Sequence, residues 1–96
     1  MKPSELLNLY RDQVRAIALS HRVTSVKVFG SVLHGDDSDG SDLDLLVEPT
    51  EQTTMFDIGG IQFEVSELLG INVDVLTPRA LPEAFRARVL AEARAL

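Results

Sequence analysis

Residues 30–48, GSVLHGDDSDGSDLDLLVE, place a Gly-Ser pair ahead of five aspartates in nine positions, with no Lys or Arg among them. Like charges at this density oppose folding unless something positive neutralises them. The stretch ends in DLDLLV, which alternates charge and aliphatic side chains at the period of a strand. Side chains on a strand alternate faces, so Asp42 and Asp44 point one way while Leu43, Leu45 and Val47 point the other. The strand is therefore half buried, with an acidic face opposite a core face. Two residues of rise span roughly 6.6 Å, and carboxylates leaning together across that gap can share two metal ions roughly 3.5–4 Å apart. Hard oxygen donors without sulfur or imidazole select Mg²⁺ or Mn²⁺ over zinc.

A second acidic residue lies in the middle of an apolar strand. In INVDVLTP, residues 71–78, Ile71, Val73 and Val75 share one face, and Asp74 shares the other with Asn72 and Leu76. A charge in such a strand is unusual unless it is paired or coordinating. If this strand neighbours the first, Asp74 completes a carboxylate triad. If it does not, an arginine of the last helix, Arg86 or Arg88, is its natural partner. Gly30-Ser31 sits where the preceding strand, TSVKVFG, should end. Glycine lets a phosphate approach the backbone, and serine can cap the next helical turn and donate its hydroxyl. Gly35 can end that turn. Asp36, Asp37 and Asp39 read as a solvated turn, and Ser41 as part of it. His34 reads as a plain loop histidine rather than a phosphate ligand. His21 follows a helix end, where a cation suits the dipole.

A calcium loop beginning at Asp37 would set Asp39, Ser41 and Glu48 at its third, fifth and twelfth positions. Its sixth position, which must be glycine, is Asp42, and the flanks are strands rather than helices. That reading fails.

Around this centre the chain alternates helix-strand-helix-strand-helix, with a helical turn expected after Gly30. Pro3-Ser4-Glu5 opens the first helix, whose apolar stripe runs through Leu6, Leu9, Tyr10, Val14, Ile17 and Ala18 to about Ser20. Residues 53–69 form a helix weakened by the Gly59-Gly60 pair, at roughly 1 kcal/mol per glycine relative to alanine. The third strand follows it, and Pro82 starts a last helix carrying Phe85, Val89, Leu90 and Ala93 on one side. The fold class is α+β, a small mixed sheet packed with helices. The 96 residues are expected to form a single domain, 1–96.

Composition narrows the function. With no cysteine, disulfides and thiolate zinc sites are excluded. The net charge is −6, and eleven of the fifteen acids fall between Lys27 and Arg79, an interval with no Lys or Arg. Such a field repels a nucleic-acid backbone, so no direct nucleic-acid binding is expected. It favours divalent cations or a partner with a basic surface. No signal peptide or membrane span is visible, so the expected location is cytoplasmic.

Gly-Ser, ten residues, then Asp-X-Asp in GSVLHGDDSDGSDLDLLV resembles the signature of the DNA polymerase β-like nucleotidyltransferases. The short length and the ending VDVLTPRALPEAFRARVLAEARAL are similar to the minimal nucleotidyltransferases, the antitoxins of HEPN/MNT toxin–antitoxin pairs. The resemblance implies the polymerase β-like nucleotidyltransferase fold. It also implies a Mg²⁺-dependent transfer of AMP from ATP to a tyrosine of a HEPN-domain ribonuclease toxin, which silences it. Carried over by position, Gly30 and Ser31 would hold the triphosphate, Asp42 and Asp44 would bind two Mg²⁺ ions, and Asp74 would bind one and help deprotonate the attacking hydroxyl. Where family members often carry arginines after Gly-Ser, Val32 and His34 stand here. The alternatives are an acidic antitoxin that neutralises its partner by binding alone, and nucleotidylation of a small molecule such as an aminoglycoside.

Overall fold

The computed structural model describes residues 1–96. Its elements are α1 (Pro3–Leu19), β1 (Val23–Phe29), α2 (Gly30–His34), β2 (Leu43–Pro49), α3 (Met55–Leu69), β3 (Val73–Leu76), a 3-10 turn (Pro78–Ala80), α4 (Glu83–Glu92) and β4 (Arg94–Ala95). The short α2 is the turn expected after Gly30. Apart from it, β1 and β2 follow one another directly, so the order is helix-strand-strand-helix-strand-helix-strand rather than a strict alternation of helix and strand. The four strands form one mixed sheet in the order β3-β2-β1-β4. β1 runs antiparallel to both β2 and β4, and β2 runs parallel to β3. Parallel neighbours need a crossover, and α3 supplies it.

The core follows from strand alternation. Leu43, Leu45 and Val47 are fully buried in a cluster with Val26 and Val28 of β1, Val73 and Val75 of β3, Leu7, Val14 and Ala18 of α1, and Ile61 and Val65 of α3. α1 and α3 therefore share this cluster with one face of the sheet. On the other face Phe29, Leu46, Leu81 and Val89 form a smaller cluster with α4, and it is this face that carries Asp44 and Asp74 beside Leu46 and Leu76.

Local chemistry sets the helix ends. Thr54 caps α3 by accepting from the Asp57 amide, while Asp57 accepts from the Thr54 amide at 2.9 Å. Gly70, at φ 69°, closes the same helix. The glycine pair does not break α3. Gly60 accommodates the His21 ring, whose Cε1 would lie 2.6 Å from a Cβ at that position. His21 also contacts Glu64 and lies 3.9 Å from Asp57, so it joins the end of α1 to α3 through carboxylates.

Two expectations need correction. Asp37 is not part of a solvated turn: it is only 6% exposed, and its carboxylate accepts the Ser4 amide at 2.8 Å. It thereby caps α1 from 33 residues away. The last helix does not hold the C-terminal residues either. It stops at Glu92, Ala93 turns extended, and Arg94 and Ala95 pair with Val28 and Lys27. A chain of good helix formers is drawn into a strand because the free edge of β1 offers unpaired backbone groups.

Candidate active site

Pairing of β2 with β3 decides the geometry. Asp44 and Asp74 are direct partners in the parallel register, flanked by Leu43 with Val73 and Leu45 with Val75. Adjacent strands lie about 4.8 Å apart, and residues in register point to the same face. Leu43 and Val73 go into the core, so the two aspartates share the opposite face. Asp42 immediately precedes β2 and is exposed, and Asp44 is half-buried. Asp42 thus stands one residue outside the strand that the alternation assigned to it.

Electrostatics follow from this crowding. Desolvation first, then the negative charges of Asp74 and Asp42, push the Asp44 carboxyl up to about 6. No salt bridge reaches Asp74. Arg86, its alternative partner, instead donates to the carbonyls of Leu81 at 2.8 Å and Arg79 at 3.2 Å. Both bonds come from Nη2 and brace the 3-10 turn, while the buried Nε has no partner. His34 ends α2 rather than lying in a loop, and its Nε2 is 3.0 Å from the Glu92 carboxylate of α4.

Gly30 joins β1 to α2 with φ 75°, and a Cβ there would collide with the Asp44 carboxylate, lying 3.1 Å from its Cγ. Glycine is required twice over, by the backbone conformation and by the close approach of Asp44. Ser31 follows on the first turn of α2. Gly30 is thereby brought beside Asp44, whose cross-strand partner is Phe29, and Ser31 is the next residue along the chain.

Beside the aspartates the surface is concave. A cleft of about 450 Å³ is lined by Asp39, Gly40, Ser41, Asp42, Ser66, Gly70, Ile71 and Asn72. A second, of about 230 Å³, is lined by Asp42, Gln62, Ser66, Asn72, Val73 and Asp74. Sequence reasoning did not single out Gln62 and Ser66. They come from α3, and only the packing of α3 along β3 brings them near; the Gln62 side chain accepts the Val75 amide at 3.3 Å. Asn72, two residues before Asp74 and on the same strand face, carried a usable signal.

The donor set fits a hard divalent cation: three carboxylates, no sulfur, no imidazole and no ion-pairing cation. The side chains are not gathered into a closed shell of three or more ligands. Like charges on one patch oppose such closure.

The family description "Polymerase beta, Nucleotidyltransferase" matches residues 12–96. The chain belongs to the polymerase beta nucleotidyltransferase family. It is a nucleotidyltransferase by that membership and by its relatives. A Methanocaldococcus jannaschii protein named "Putative protein adenylyltransferase" is 33% identical over 91% of this chain and 94% of its own length. A second of the same name and organism is 25% identical over 93% of this chain and 91% of that one. A solved structure described as a "putative minimal nucleotidyltransferase" superposes with TM-score 0.86 at 38% identity, covering 97% of this chain and 95% of that one. A toxin–antitoxin structure with AMP-PNP shares the fold at TM-score 0.65 and 17% identity, over 97% of this chain and 71% of that one. The minimal nucleotidyltransferase fold is thus the fold of this chain. No helix of this nucleotidyltransferase is long and apolar enough to cross a membrane.

Proposed function

We propose that this nucleotidyltransferase is an antitoxin-type protein adenylyltransferase, moving AMP from ATP to a tyrosine of a HEPN-domain toxin in the cytoplasm. The observation that carries this reading is the in-register pair Asp44 and Asp74, with Asp42 beside it and Gly30 pressed against Asp44. The relatives named as protein adenylyltransferases support the reaction type. The toxin–antitoxin assembly with AMP-PNP that shares the fold supports the setting.

The reaction is an in-line substitution at the α-phosphorus of ATP. The tyrosine oxygen forms a bond to that phosphorus, the bond to the pyrophosphate oxygen breaks, and the phenolic proton passes to the Asp74 carboxylate. The products are tyrosyl-AMP and pyrophosphate. Asp42 and Asp44 would hold two Mg²⁺ ions and Asp74 one of them; bound there, the ions would neutralise the charge that develops on the attacking and leaving oxygens. Gly30 keeps the backbone open to the triphosphate, and Ser31 offers it a hydroxyl and the amides of the first turn of α2. Few cations of the chain are available to the phosphates, so positioning and cation neutralisation carry most of the rate.

The test is transfer of label from α-labelled ATP, with Mg²⁺, to the purified product of the adjacent reading frame. The wild-type protein should label it, and the double variant Asp42→Asn with Asp44→Asn should not. Label transfer that survives the double variant overturns the assignment of these aspartates. Neutralisation of the toxin without any transfer points instead to an antitoxin that works by contact alone.

A further inference from the structure

α3 has one face in the core and another that nothing covers. Ile61 and Val65 are fully buried, whereas Phe56 is 90% exposed, Phe63 64% and Met55 90%. Phe56, Gly59 and Phe63 follow each other at helical spacing, so they form one ridge, with an open backbone notch at Gly59 between the rings. Two solvated phenylalanines on one helix face mark a contact surface rather than ordinary scatter. Met55 and Gly59 continue the ridge into an apolar hollow of about 450 Å³ that also takes in Pro49, Ile58, Val75 and Ala80.

This face is continuous with the active site. Ser66 lies one turn after Phe63, and Ser66 and Gln62 line the same cleft as Asp42 and Asp74. A protein seated on the ridge therefore has its nearest segment about one helical turn, 5.4 Å along the axis, from the carboxylate cleft. We infer that the exposed face of α3, centred on Phe56 and Phe63, is the docking surface for the acceptor protein, which meets it with an apolar centre ringed by Lys and Arg. This rests on the adenylyl-transfer reading above.

Charge selects the occupant. α3 carries Asp57, Glu64 and Glu67 and no Lys or Arg, and the interval from Lys27 to Arg79 contains none. A second copy of this chain, also at −6, would bring its own acids against these ones and its own carboxylate cleft against this one. A basic acceptor meets no such repulsion and gains in rate of encounter.

The experiment uses the full chain and the purified product of the adjacent reading frame. Phe56→Ser with Phe63→Ser is the first variant, and Glu67→Lys the second; all three positions are exposed, and unchanged melting temperatures check the fold. The double serine variant should weaken binding measured by calorimetry by at least about 10-fold. Its KM for the acceptor should rise by a similar factor while kcat stays within about twofold, and the thermal shift given by Mg²⁺ with ATP should not change. Glu67→Lys should weaken binding more at low salt than at high salt. Wild-type affinity and KM in the double serine variant overturn the docking surface, as does absence of any binding by the wild-type chain. Sedimentation showing a wild-type dimer that the serines dissociate would assign the face to a second copy and overturn it too. Binding that depends on Phe56 and Phe63 with no label transfer would retain the surface and overturn adenylyl transfer, so the two failures are distinguishable.

Discussion

The Asp44 carboxylate occupies the space in which a side chain on Gly30 would have to sit. Gly30→Ala therefore forces either the aspartate or the β1–α2 joint to move, in a backbone conformation that costs a residue with a Cβ about 1–2 kcal/mol. Urea unfolding should show a loss of that order. Label transfer should fall at least about 100-fold, because a misplacement of 1 Å at a reacting centre has that effect. Wild-type transfer in a folded Gly30→Ala protein would show that the Asp44 position is not critical.

Asp44 is destabilised by its own neighbours, through burial and through the like charges of Asp74 and Asp42. Asp44→Asn removes that repulsion and keeps the shape. The metal-free variant should melt a few degrees higher than wild type at pH 7.5, by about 1 kcal/mol after allowing for solvent screening at this half-exposed site. The same substitution should abolish transfer. Calorimetry without and with Mg²⁺ and ATP checks both arms: wild type should gain stability from the addition, and the variant should gain much less. Equal melting of the two metal-free proteins would count against mutual repulsion in the triad.

Asp37 gives the chain an acid-sensitive joint. Burial pushes its carboxyl up, but the Ser4 amide and hydroxyl, its own backbone amide and the charge of Lys2 outweigh this and leave it below the usual carboxylate value. A depressed value means the ionised form belongs to the folded state. Its stabilisation is complete above about pH 4, the ordinary aspartate value, and is lost as pH falls through the lowered one. Asp37→Asn should flatten the acid limb of the stability profile below about pH 4. Asp37→Ala should cost about 1 kcal/mol at neutral pH, the usual effect of removing a helix cap. An unchanged acid limb in Asp37→Asn would assign acid unfolding to other groups.

The adjacent glycines of α3 should respond oppositely. Nothing lies within 4 Å of a Cβ at Gly59, so Gly59→Ala should stabilise by about 0.5–1 kcal/mol through helix propensity. At Gly60 the added carbon would meet the His21 ring, 2.6 Å from Cε1 and 3.0 Å from Nδ1. Gly60→Ala should therefore destabilise, and disturb the His21 contacts with Glu64 and Asp57. Thermal melts of the two single variants decide this; stabilisation by both would mean that the His21 ring moves aside freely.

Much of the molecule was legible because its signals are local. The alternation of Leu43, Leu45 and Val47 against Asp44 marks the core side of β2, and those three are fully buried, while Leu46 on the Asp44 side is buried as well. The helix start at Pro3-Ser4-Glu5 carries local first-turn chemistry. Gly30 and Gly35, both with positive φ, mark the two ends of α2. What escaped were contacts made across the chain. Asp37 resembles any turn aspartate until α1 is set down against it, and Gly60 resembles a helix defect until His21 fills its notch. Arg94-Ala95 has the composition of a helix, and only the open edge of β1 overrides that preference.

By itself the sequence determined to which side of its strand each residue points, though not that α4 covers the second side and buries Leu46 and Phe29 there. It also determined that the middle of the chain is a cation-poor, acid-rich region. Those properties depend on side-chain type and on a spacing of two residues, which no later folding event can alter. Whether Asp74 faces Asp44 was decided only by the tertiary structure. Strand order and register arise from the crossover through α3 and from the burial of Leu43 with Val73 and Leu45 with Val75. A slip of one residue would have turned Asp74 into the core.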